Sequence, residues 1–374
     1  MTIPDAHSLP AGFYTSEKFF AAEMAHVHRR HWFLVGRSEE WPAPGDYRAI
    51  DTPGGPAIVL RDLHGTMRAY ANTCRHRGAL LLTGRGNRRS IVCPYHSWGY
   101  RLDGPLAGAP AMEGLSDADR RAYGLLPIRL EEWAGFLFLT YDDAAPDLRT
   151  HLGDLPDVFA SHRLDEMACT YTASFPARCN WKLILENAME TYHTGYVHAA
   201  TVGAQQSVSL DTRGAWEALQ VLSDRSIAVL GDTPPLPPIE GLSDAARRGT
   251  YFTCIHPSTQ FAVAQDSMWW LAVRPLAADR SLVELGGCFQ KSALSLADFA
   301  IRAAPYYDRW RRVFEEDIGI LEQQQIGLSS VLHRPGPLSW RDDQVLRLNR
   351  WLLAQVPRSD WPAWPTGIRD RPSG

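Results

Sequence analysis

The segment CRHRGALLLTGRGNRRSIVCPYH, residues 74–96, contains two cysteines and two histidines in two short pairs. The first pair is Cys74-x-His76 and the second is Cys93-x-x-His96. Each pair lies next to runs of residues with the composition of β-strands, which predicts two hairpins. These runs are AIVLRD (57–62), MRAYANT (67–73), SIVCPY (90–95) and WGYRLDG (98–104). Two hairpin loops that face each other would deliver four metal ligands to one small volume.

The mixture of thiolates and imidazoles indicates which metal group these loops hold. Structural zinc sites usually place their thiols in one knuckle and their imidazoles in another, whereas here each loop offers one of each. A [2Fe–2S] cluster with two cysteines on one iron and two histidines on the other is the Rieske arrangement. We therefore expect Cys74, His76, Cys93 and His96 to bind a Rieske cluster, with zinc as the alternative.

The composition is that of an ordinary globular chain with room for two domains. Of 374 residues, 45% are hydrophobic and 21% are charged, and the net charge of −4 gives no reason to expect nucleic acid or an anionic membrane as a partner. No signal peptide or membrane-spanning run stands out. Six cysteines are too few for a disulfide scaffold, so we expect a protein of the reducing cytoplasm.

A second group of polar residues lies in NWKLILENAMETYHTGYVHAAT, residues 180–201. Residues 180–193 contain good helix formers and neither Gly nor Pro, which predicts a helix that is broken at Gly195. Glu190 and His193 would lie on one face of that helix, because residues three apart are neighbours on its surface.

His193 and His198 are five residues apart and converge only if the chain leaves the regular helix between them. Two imidazoles and one carboxylate would make the facial triad of a non-haem Fe(II) site. In RWRRVFEEDIGILEQQQIGLSS (309–330), Asp317 falls inside an apolar helical stripe, whereas the two glutamates before it lie outside the stripe or at its margin. The stripe consists of Trp310, Val313, Phe314, Leu321 and Leu328. A buried Asp must bind a metal or pair with a cation, and we expect the metal, with an arginine salt bridge as the alternative.

These segments, together with the lead-in HWFLVGRSEEWPAPGDY (31–47), resemble the large (alpha) subunit of the Rieske non-haem iron oxygenases, the aromatic-ring-hydroxylating dioxygenase family. The resemblance covers most of the chain. It implies a Rieske [2Fe–2S] cluster and a mononuclear Fe(II) bound by His193, His198 and Asp317, with Asn187 near the iron.

In that family, the residue three before the first iron-binding His is a catalytic bridge. The resemblance assigns this role to Glu190, which would link His193 by hydrogen bonds to the cluster ligand His96 of a neighbouring subunit. Many aromatic-ring dioxygenases have Asp at this position. The longer Glu side chain resembles the branch that acts on quaternary ammonium compounds.

The resemblance also implies an α+β fold, with an all-β Rieske domain and a helix-grip (START/Bet v 1-like) catalytic domain whose antiparallel sheet surrounds a long helix. The predicted limits are 1–41 for an N-terminal segment that packs with the catalytic domain, 42–150 for the Rieske domain and 151–374 for the catalytic domain. Family members assemble as homotrimers, so we expect the cluster of one subunit to serve the iron of the next.

The implied function is that of a terminal oxygenase, which activates O2 at Fe(II) and hydroxylates or demethylates a small aromatic or quaternary ammonium substrate. The electrons would come indirectly from NAD(P)H, through a separate reductase and possibly a ferredoxin. The only sequence that resembles a dinucleotide fingerprint, GRGNRR (84–89), is a poor match and lies between the cluster loops.

Substrate contacts are the least specific part of the prediction. Trp269 and Trp270 lie in an expected strand, so one of the two should face the cavity and the other the opposite side. Ordinary core packing is the alternative for each. The proline-rich segment 231–241 predicts a surface loop, either a connector or part of a lid.

Two different functions remain as alternatives. A Rieske protein that only transfers electrons would leave the motifs at 180–201 and 309–330 unexplained. A di-iron helical bundle would use the Glu-x-x-His sequences at 23–26 and 190–193, but the many Gly and Pro residues and the two Cys–His pairs argue against it.

Overall fold

The computed structural model describes residues 2–231 and 233–363. The chain divides into two compact units. Residues 29–145 form one unit, and the segments that precede and follow them in sequence form the other. These units are defined by compactness, so the domain limits predicted at residues 42 and 150 remain a prediction.

The N-terminal segment consists of β1 (Thr2–His7), α1 (Gly12–Thr15), α2 (Glu17–Glu23) and a π-helical turn (Met24–His28). Glu23 is fully buried and accepts hydrogen bonds from Lys182 Nζ (2.6 Å) and Trp181 Nε1 (3.2 Å). This pairing satisfies a charge that would be costly if it were buried alone. Glu23 is thus committed to an ion pair, which contradicts the di-iron bundle.

The unit of residues 29–145 is almost entirely β-structure. An antiparallel sheet has the strand order β2-β11-β10-β5-β4-β3-β6, and a smaller sheet has the order β7-β8-β9. The elements are β2 (Phe33–Arg37), β3 (Asp46–Thr52), β4 (Gly55–Arg61), β5 (Met67–Ala71), β6 (Arg85–Asn87), β7 (Ile91–Val92), β8 (Gly99–Tyr100), β9 (Leu106–Gly108), α3 (Asp117–Ala122), β10 (Pro127–Trp133) and β11 (Phe136–Thr140). The two predicted hairpins are therefore confirmed as β4–β5 and β7–β8.

The other unit is built on an antiparallel sheet with the strand order β12-β18-β17-β16-β15-β14-β13, and β1 pairs separately with β19. Its elements after the N-terminal segment are α4 (Leu148–Leu152), α5 (Leu155–Val158), β12 (Met167–Ala177), α6 (Trp181–Ala188), α7 (Thr194–Val197), β13 (Ser207–Ser209), β14 (Trp216–Leu222), α8 (Asp244–Arg247), β15 (Gly249–Ile255), β16 (Thr259–Val263), β17 (Met268–Ala277), β18 (Arg280–Gln290), α9 (Phe299–Leu328), β19 (Pro337–Ser339) and α10 (Asp343–Gln355). This arrangement confirms the predicted α+β class.

Helix α9 packs on the sheet through its predicted apolar stripe. Trp310 contacts the rings of Phe289 on β18, Trp269 on β17 and Tyr171 on β12, at centroid distances of 5.6, 5.8 and 6.4 Å. The approach needs a bare backbone, since a Cβ at Gly287 would lie only 1.9 Å from the Trp310 ring. The long helix is thereby held across the sheet.

The predicted helix 180–193 is shorter than expected. Helix α6 begins after the N-cap Asn180 and ends at Ala188, and Gly195 lies inside the separate helix α7 instead of breaking a helix. The Glu190 carboxylate accepts the backbone N–H groups of Tyr192 and His193, so it competes with the helical hydrogen bonds at this point.

Among the helices of the described residues, none combines the length and the apolar character needed to cross a bilayer.

Candidate metal centres

The two cluster loops are tight turns of the same design. The carbonyl of Cys74 accepts the N–H of Gly78 (2.9 Å), and the carbonyl of Cys93 accepts the N–H of Ser97 (3.1 Å). Gly78 and Ser97 both take the left-handed conformation, with φ of 74° and 58°. Each turn therefore presents its Cys and its His from a backbone that is fixed by its own hydrogen bonds.

The side chains of these loops fit a Rieske cluster. Cys74 and Cys93 are buried free thiols, and the rings of His76 and His96 lie 4.7 Å apart between centroids. The Nδ1 atoms of both histidines are buried and have no hydrogen-bond partner among the described residues. Buried polar atoms without a partner are rare, and here two of them lie beside two thiols. This is the donor set that a two-iron cluster with mixed ligands requires.

Cys74 is prepared to act as a thiolate. Burial raises the pKa of its thiol, but hydrogen bonds from the Tyr100 hydroxyl and the His76 backbone N–H outweigh burial, so the pKa is lowered overall. The Tyr100 oxygen lies 3.2 Å from Cys74 Sγ. A lowered pKa favours the deprotonated form that binds iron.

His193, His198 and Asp317 come together although the aspartate is far from the histidines in sequence. One potential ligand atom from each lies within 4.8 Å of the other two. Asp317 Oδ1 is 3.0 Å from His198 Nε2 and 3.6 Å from His193 Nε2. The helix break after α6 brings the two rings to a centroid distance of 5.2 Å. The set has the donor types of a facial triad for Fe(II).

The opposite nitrogen of each ring is held by a carboxylate. His193 Nδ1 is hydrogen-bonded to Glu190 Oε1, and His198 Nδ1 lies 2.7 Å from Glu316 Oε2. Thr201 Oγ1 donates to the same Glu316 oxygen at 2.8 Å. Such carboxylates orient a metal-binding imidazole and increase its basicity. Both Nε2 atoms are thus directed toward Asp317.

Asn187 supports the aspartate, because its Nδ2 donates to Asp317 Oδ1 at 2.8 Å. Burial lowers the pKa of His198, but the carboxylates of Asp317 and Glu316 outweigh burial and raise its pKa overall. In the absence of a cation, the acidic side chains therefore attract positive charge to this point. A divalent metal ion satisfies the same attraction.

The triad lies on the wall of a cavity of about 840 Å³, counting its open mouth. The wall is mostly apolar and aromatic, with Ile184, Leu219, Phe252, Phe261, Trp269, Leu271, Leu285, Trp310, Val313 and Phe314 among its residues. None of the described residues of the loop 231–241 lines it, so the connector interpretation of that loop fits better than the lid.

Trp269 and Trp270 have different positions. Trp269 lines the cavity, whereas Trp270 is absent from its described lining and packs against Gly286 instead. Of the two tryptophans named as candidates for the substrate pocket, Trp269 is therefore the one on the cavity wall, and Trp270 is not. The reason is the alternation of side chains along β17, which sends neighbouring residues to opposite faces.

Sequence reasoning missed two residues of this site. Glu316 was placed at the margin of the stripe, because nothing in the sequence shows that His198 lies next to it. Arg309 also lines the cavity, and its signal was its spacing, since positions 309, 313 and 317 follow one face of α9.

Comparison with known proteins agrees with both centres. Residues 31–119 match the model of the Rieske [2Fe-2S] domain, and residues 161–358 match the model described as "Ring hydroxylating alpha subunit (catalytic domain)". The second match alone covers more than half of the chain. An oxygenase domain accompanies the cluster domain, so the alternative of a pure electron carrier is wrong.

Individual relatives are similar over different lengths. The oxygenase subunit of glycine betaine monooxygenase from Chromohalobacter salexigens is 29% identical over 369 aligned residues, which cover 89% of this chain and 82% of that protein. The oxygenase subunit of carnitine monooxygenase from Escherichia coli is 36% identical over 216 residues, 55% of each chain.

A crystal structure of a quaternary ammonium Rieske monooxygenase with L-carnitine has the same fold, with a TM-score of 0.78 at 23% identity over 96% of this chain and 100% of that chain. The chain belongs to the ring-hydroxylating alpha-subunit family and is the oxygenase component of a Rieske oxygenase, with a Rieske [2Fe–2S] cluster, a mononuclear iron, a partner reductase and a small-molecule substrate.

Proposed function

We propose that this oxygenase is a monooxygenase that removes an N-methyl group from a small quaternary ammonium compound. The observation that carries the proposal is the convergence of His193 Nε2, His198 Nε2 and Asp317 Oδ1 on the wall of an aromatic cavity. The relatives named above as monooxygenases of glycine betaine and carnitine support the choice of substrate class.

The reaction balances as one oxygen insertion. The substrate, O2, two electrons and two protons give an N-hydroxymethyl ammonium product and water. The C–N bond of that product then breaks, which releases the tertiary amine, formaldehyde and one proton. The two electrons come from the reductase partner. Iron bound to the triad supplies the reductive activation of O2.

The residues of the chain have separate tasks in this reaction. His193, His198 and Asp317 hold the metal on the cavity wall, and Glu190 and Glu316 fix the two imidazole rings. Asn187 keeps the Asp317 carboxylate turned toward the histidines. The apolar wall excludes bulk water from the reacting carbon, which protects the reaction from side products.

We further propose that Glu190 connects the two centres across a homotrimer, by a hydrogen bond to His96 of a neighbouring copy. Aromatic side chains support an interface beside both residues. Tyr192 and Tyr196 near Glu190 are 49% and 77% exposed, and Tyr95 next to His96 is 56% exposed. Exposed apolar patches of this kind mark protein contacts.

The reductase passes electrons to the cluster directly or through a ferredoxin. We place the system in the cytoplasm, where NAD(P)H is regenerated and thiols stay reduced.

Hydroxylation of an aromatic ring is the second candidate, favoured by the ring-rich wall formed by Phe252, Phe261, Trp269 and Trp310. A substrate screen separates the two. Purified protein is supplied with a surrogate reductase, NADH and O2, and product is followed for betaines and arenes. Formaldehyde from a betaine supports demethylation, whereas a hydroxylated arene contradicts it.

Metal analysis tests the class of site independently of the substrate. We expect about three irons and about two acid-labile sulfides per chain. Two of the irons and both sulfides belong to the Rieske cluster, and the third iron is the mononuclear one. A preparation with two irons and two sulfides that cannot be loaded further would contradict the mononuclear site.

A further inference from the structure

A buried arginine lies in the wall of the cavity. Arg309 on α9 is only 4% exposed, and its Nε has no hydrogen-bond partner among the described residues. No carboxylate in the described part of the chain lies within ion-pair distance of its guanidinium. The guanidinium instead lies over the Trp269 ring, 4.6 Å from its centroid. A buried cation without a counterion is costly to the fold, which suggests that the counterion arrives with a ligand.

The nearest acids of the chain are already engaged. Burial lowers the pKa of Arg309 to about 10, and Asp317 and Glu316 oppose this from a distance. Glu316 is bonded to His198 and Thr201, and Asp317 belongs to the metal triad. Arg309 therefore remains positively charged at neutral pH and has its hydrogen-bonding edge available.

The position of Arg309 relative to the triad sets the shape of a ligand. Arg309 and Asp317 line the same cavity from one helix, eight residues or about 12 Å apart along its axis. Between them, α9 contributes Val313 and Phe314 to the wall. A ligand that reaches both ends has an anionic group at one end and an oxidisable carbon at the other, separated by an apolar or weakly polar body.

We propose that Arg309 binds a carboxylate of the substrate, so that the enzyme accepts small carboxylic acids and discriminates against their carboxylate-free analogues. This inference rests on the proposed function of the cavity and narrows its substrate class. A guanidinium stacked on an indole keeps its planar edge free for two parallel hydrogen bonds to a carboxylate. A trimethylammonium compound without an acid group would leave the Arg309 guanidinium without a counterion.

Two sources of such a carboxylate fit the cavity, a zwitterionic betaine and an aryl carboxylic acid. Matched probes distinguish them, because choline and glycine betaine differ only in CH2OH against COO⁻, as do benzyl alcohol and benzoate. Binding of these four compounds, and of the longer acids γ-butyrobetaine and phenylacetate with their alcohols, is measured by calorimetry on the oxidised holoenzyme, where no turnover occurs.

We expect the acid of at least one pair to bind about 100-fold more tightly than its alcohol. In Arg309→Met, which keeps the apolar stem, the Kd of that acid should rise about 100-fold while the Kd of the alcohol changes by less than about threefold. Arg312→Met is the matched control, since Arg312 is on the same helix but about half exposed and paired with Asp308.

Equal affinities for acid and alcohol, no binding of any acid, or an unchanged acid Kd in Arg309→Met would each overturn the inference. If Arg309→Met does not fold, the test is the ratio of the Kd values for acid and alcohol in the wild type and in Arg309→Lys. The lysine variant should retain part of the preference for the acid. A lack of NADH- and O2-dependent product from a tightly bound acid contradicts the proposed oxidation but not the role of Arg309, so the two failures can be told apart.

Discussion

The histidines of the two candidate metal centres present opposite ring nitrogens. In the cluster loops, Nδ1 of His76 and of His96 is buried without a partner among the described residues, so this atom is available to iron. At the cavity, Nδ1 of His193 and of His198 is bonded to a carboxylate, and Nε2 is directed toward Asp317. The first centre is shaped by backbone turns, whereas the second is shaped by side chains that hold other side chains.

This difference reflects how far apart in sequence the candidate ligands of each centre lie. All four cluster residues lie within 74–96, and each loop is closed by its own backbone hydrogen bonds. The triad joins His193 to Asp317, which meet only because α9 packs on the sheet and Glu316 approaches His198. Changes around the cavity should therefore disturb the mononuclear iron and leave the cluster intact.

Asp317→Ala is the strongest test of that independence. Removal of the only anionic member of the triad should abolish mononuclear iron and reduce turnover by more than about 100-fold, while the cluster absorption is unchanged. Iron is measured per chain by elemental analysis alongside the visible spectrum. Glu315→Ala serves as control, since Glu315 is exposed on the same helix and pairs with Arg311. Full iron content in Asp317→Ala would contradict the assignment.

Glu190→Ala tests whether the two centres are connected. The cluster should stay intact and the iron site should still fill at saturating Fe(II), yet turnover should fall about 100-fold, because the proposed bridging carboxylate is lost. Single-turnover kinetics provide the measurement, and the reduced cluster should no longer be reoxidised in the presence of substrate and O2. Glu190→Gln keeps an acceptor oxygen and should retain more activity than Ala. Near-normal turnover in Glu190→Ala would remove the bridge from the proposal.

Glu316→Gln tests the carboxylate beside His198, which the sequence did not identify as part of the site. The His198 ring loses a charged partner, so iron affinity should fall about tenfold, while the cluster potential and spectrum remain those of the wild type. Titration with Fe(II) under anaerobic conditions measures the affinity, and Glu315→Gln is the control. An equal loss of Fe(II) affinity in Glu316→Gln and Glu315→Gln would mean that the effect comes from the charge of the helix and not from the hydrogen bond with His198.

His162 shows what a buried histidine without a metal does. Both of its ring nitrogens lack partners in the described residues, and burial lowers its pKa to about 4. Because the folded pKa is below the ordinary value, this residue stabilises the fold fully above about pH 6.5 and loses about 3 kcal/mol of stabilisation as the pH falls toward 4.

His162→Leu should therefore be less sensitive to acid than the wild type between pH 6.5 and 4. Urea unfolding of both proteins at several pH values in this window gives the comparison. If the free energy of unfolding falls equally in the two proteins between pH 6.5 and 4, His162 does not cause the acid sensitivity.

Sequence reasoning succeeded where a pattern is local or periodic. The Cys–His pairs and their flanking strands predicted the two hairpins, and the apolar stripe of α9 selected Asp317 from three neighbouring acids. It failed at the end of α6, because propensity does not include the hydrogen bonds that Glu190 makes to the following turn. It also failed to identify Arg309 and Glu316, since their partners belong to other elements and are adjacent only in the folded chain.

The bare backbone at Gly287 has a consequence for the evolution of this enzyme. Trp310 rests on that glycine and also lines the cavity. A single methyl group at position 287 would displace the indole and so change the shape of the cavity wall. The cavity is therefore adjustable through a residue that neither lines it nor belongs to the metal triad.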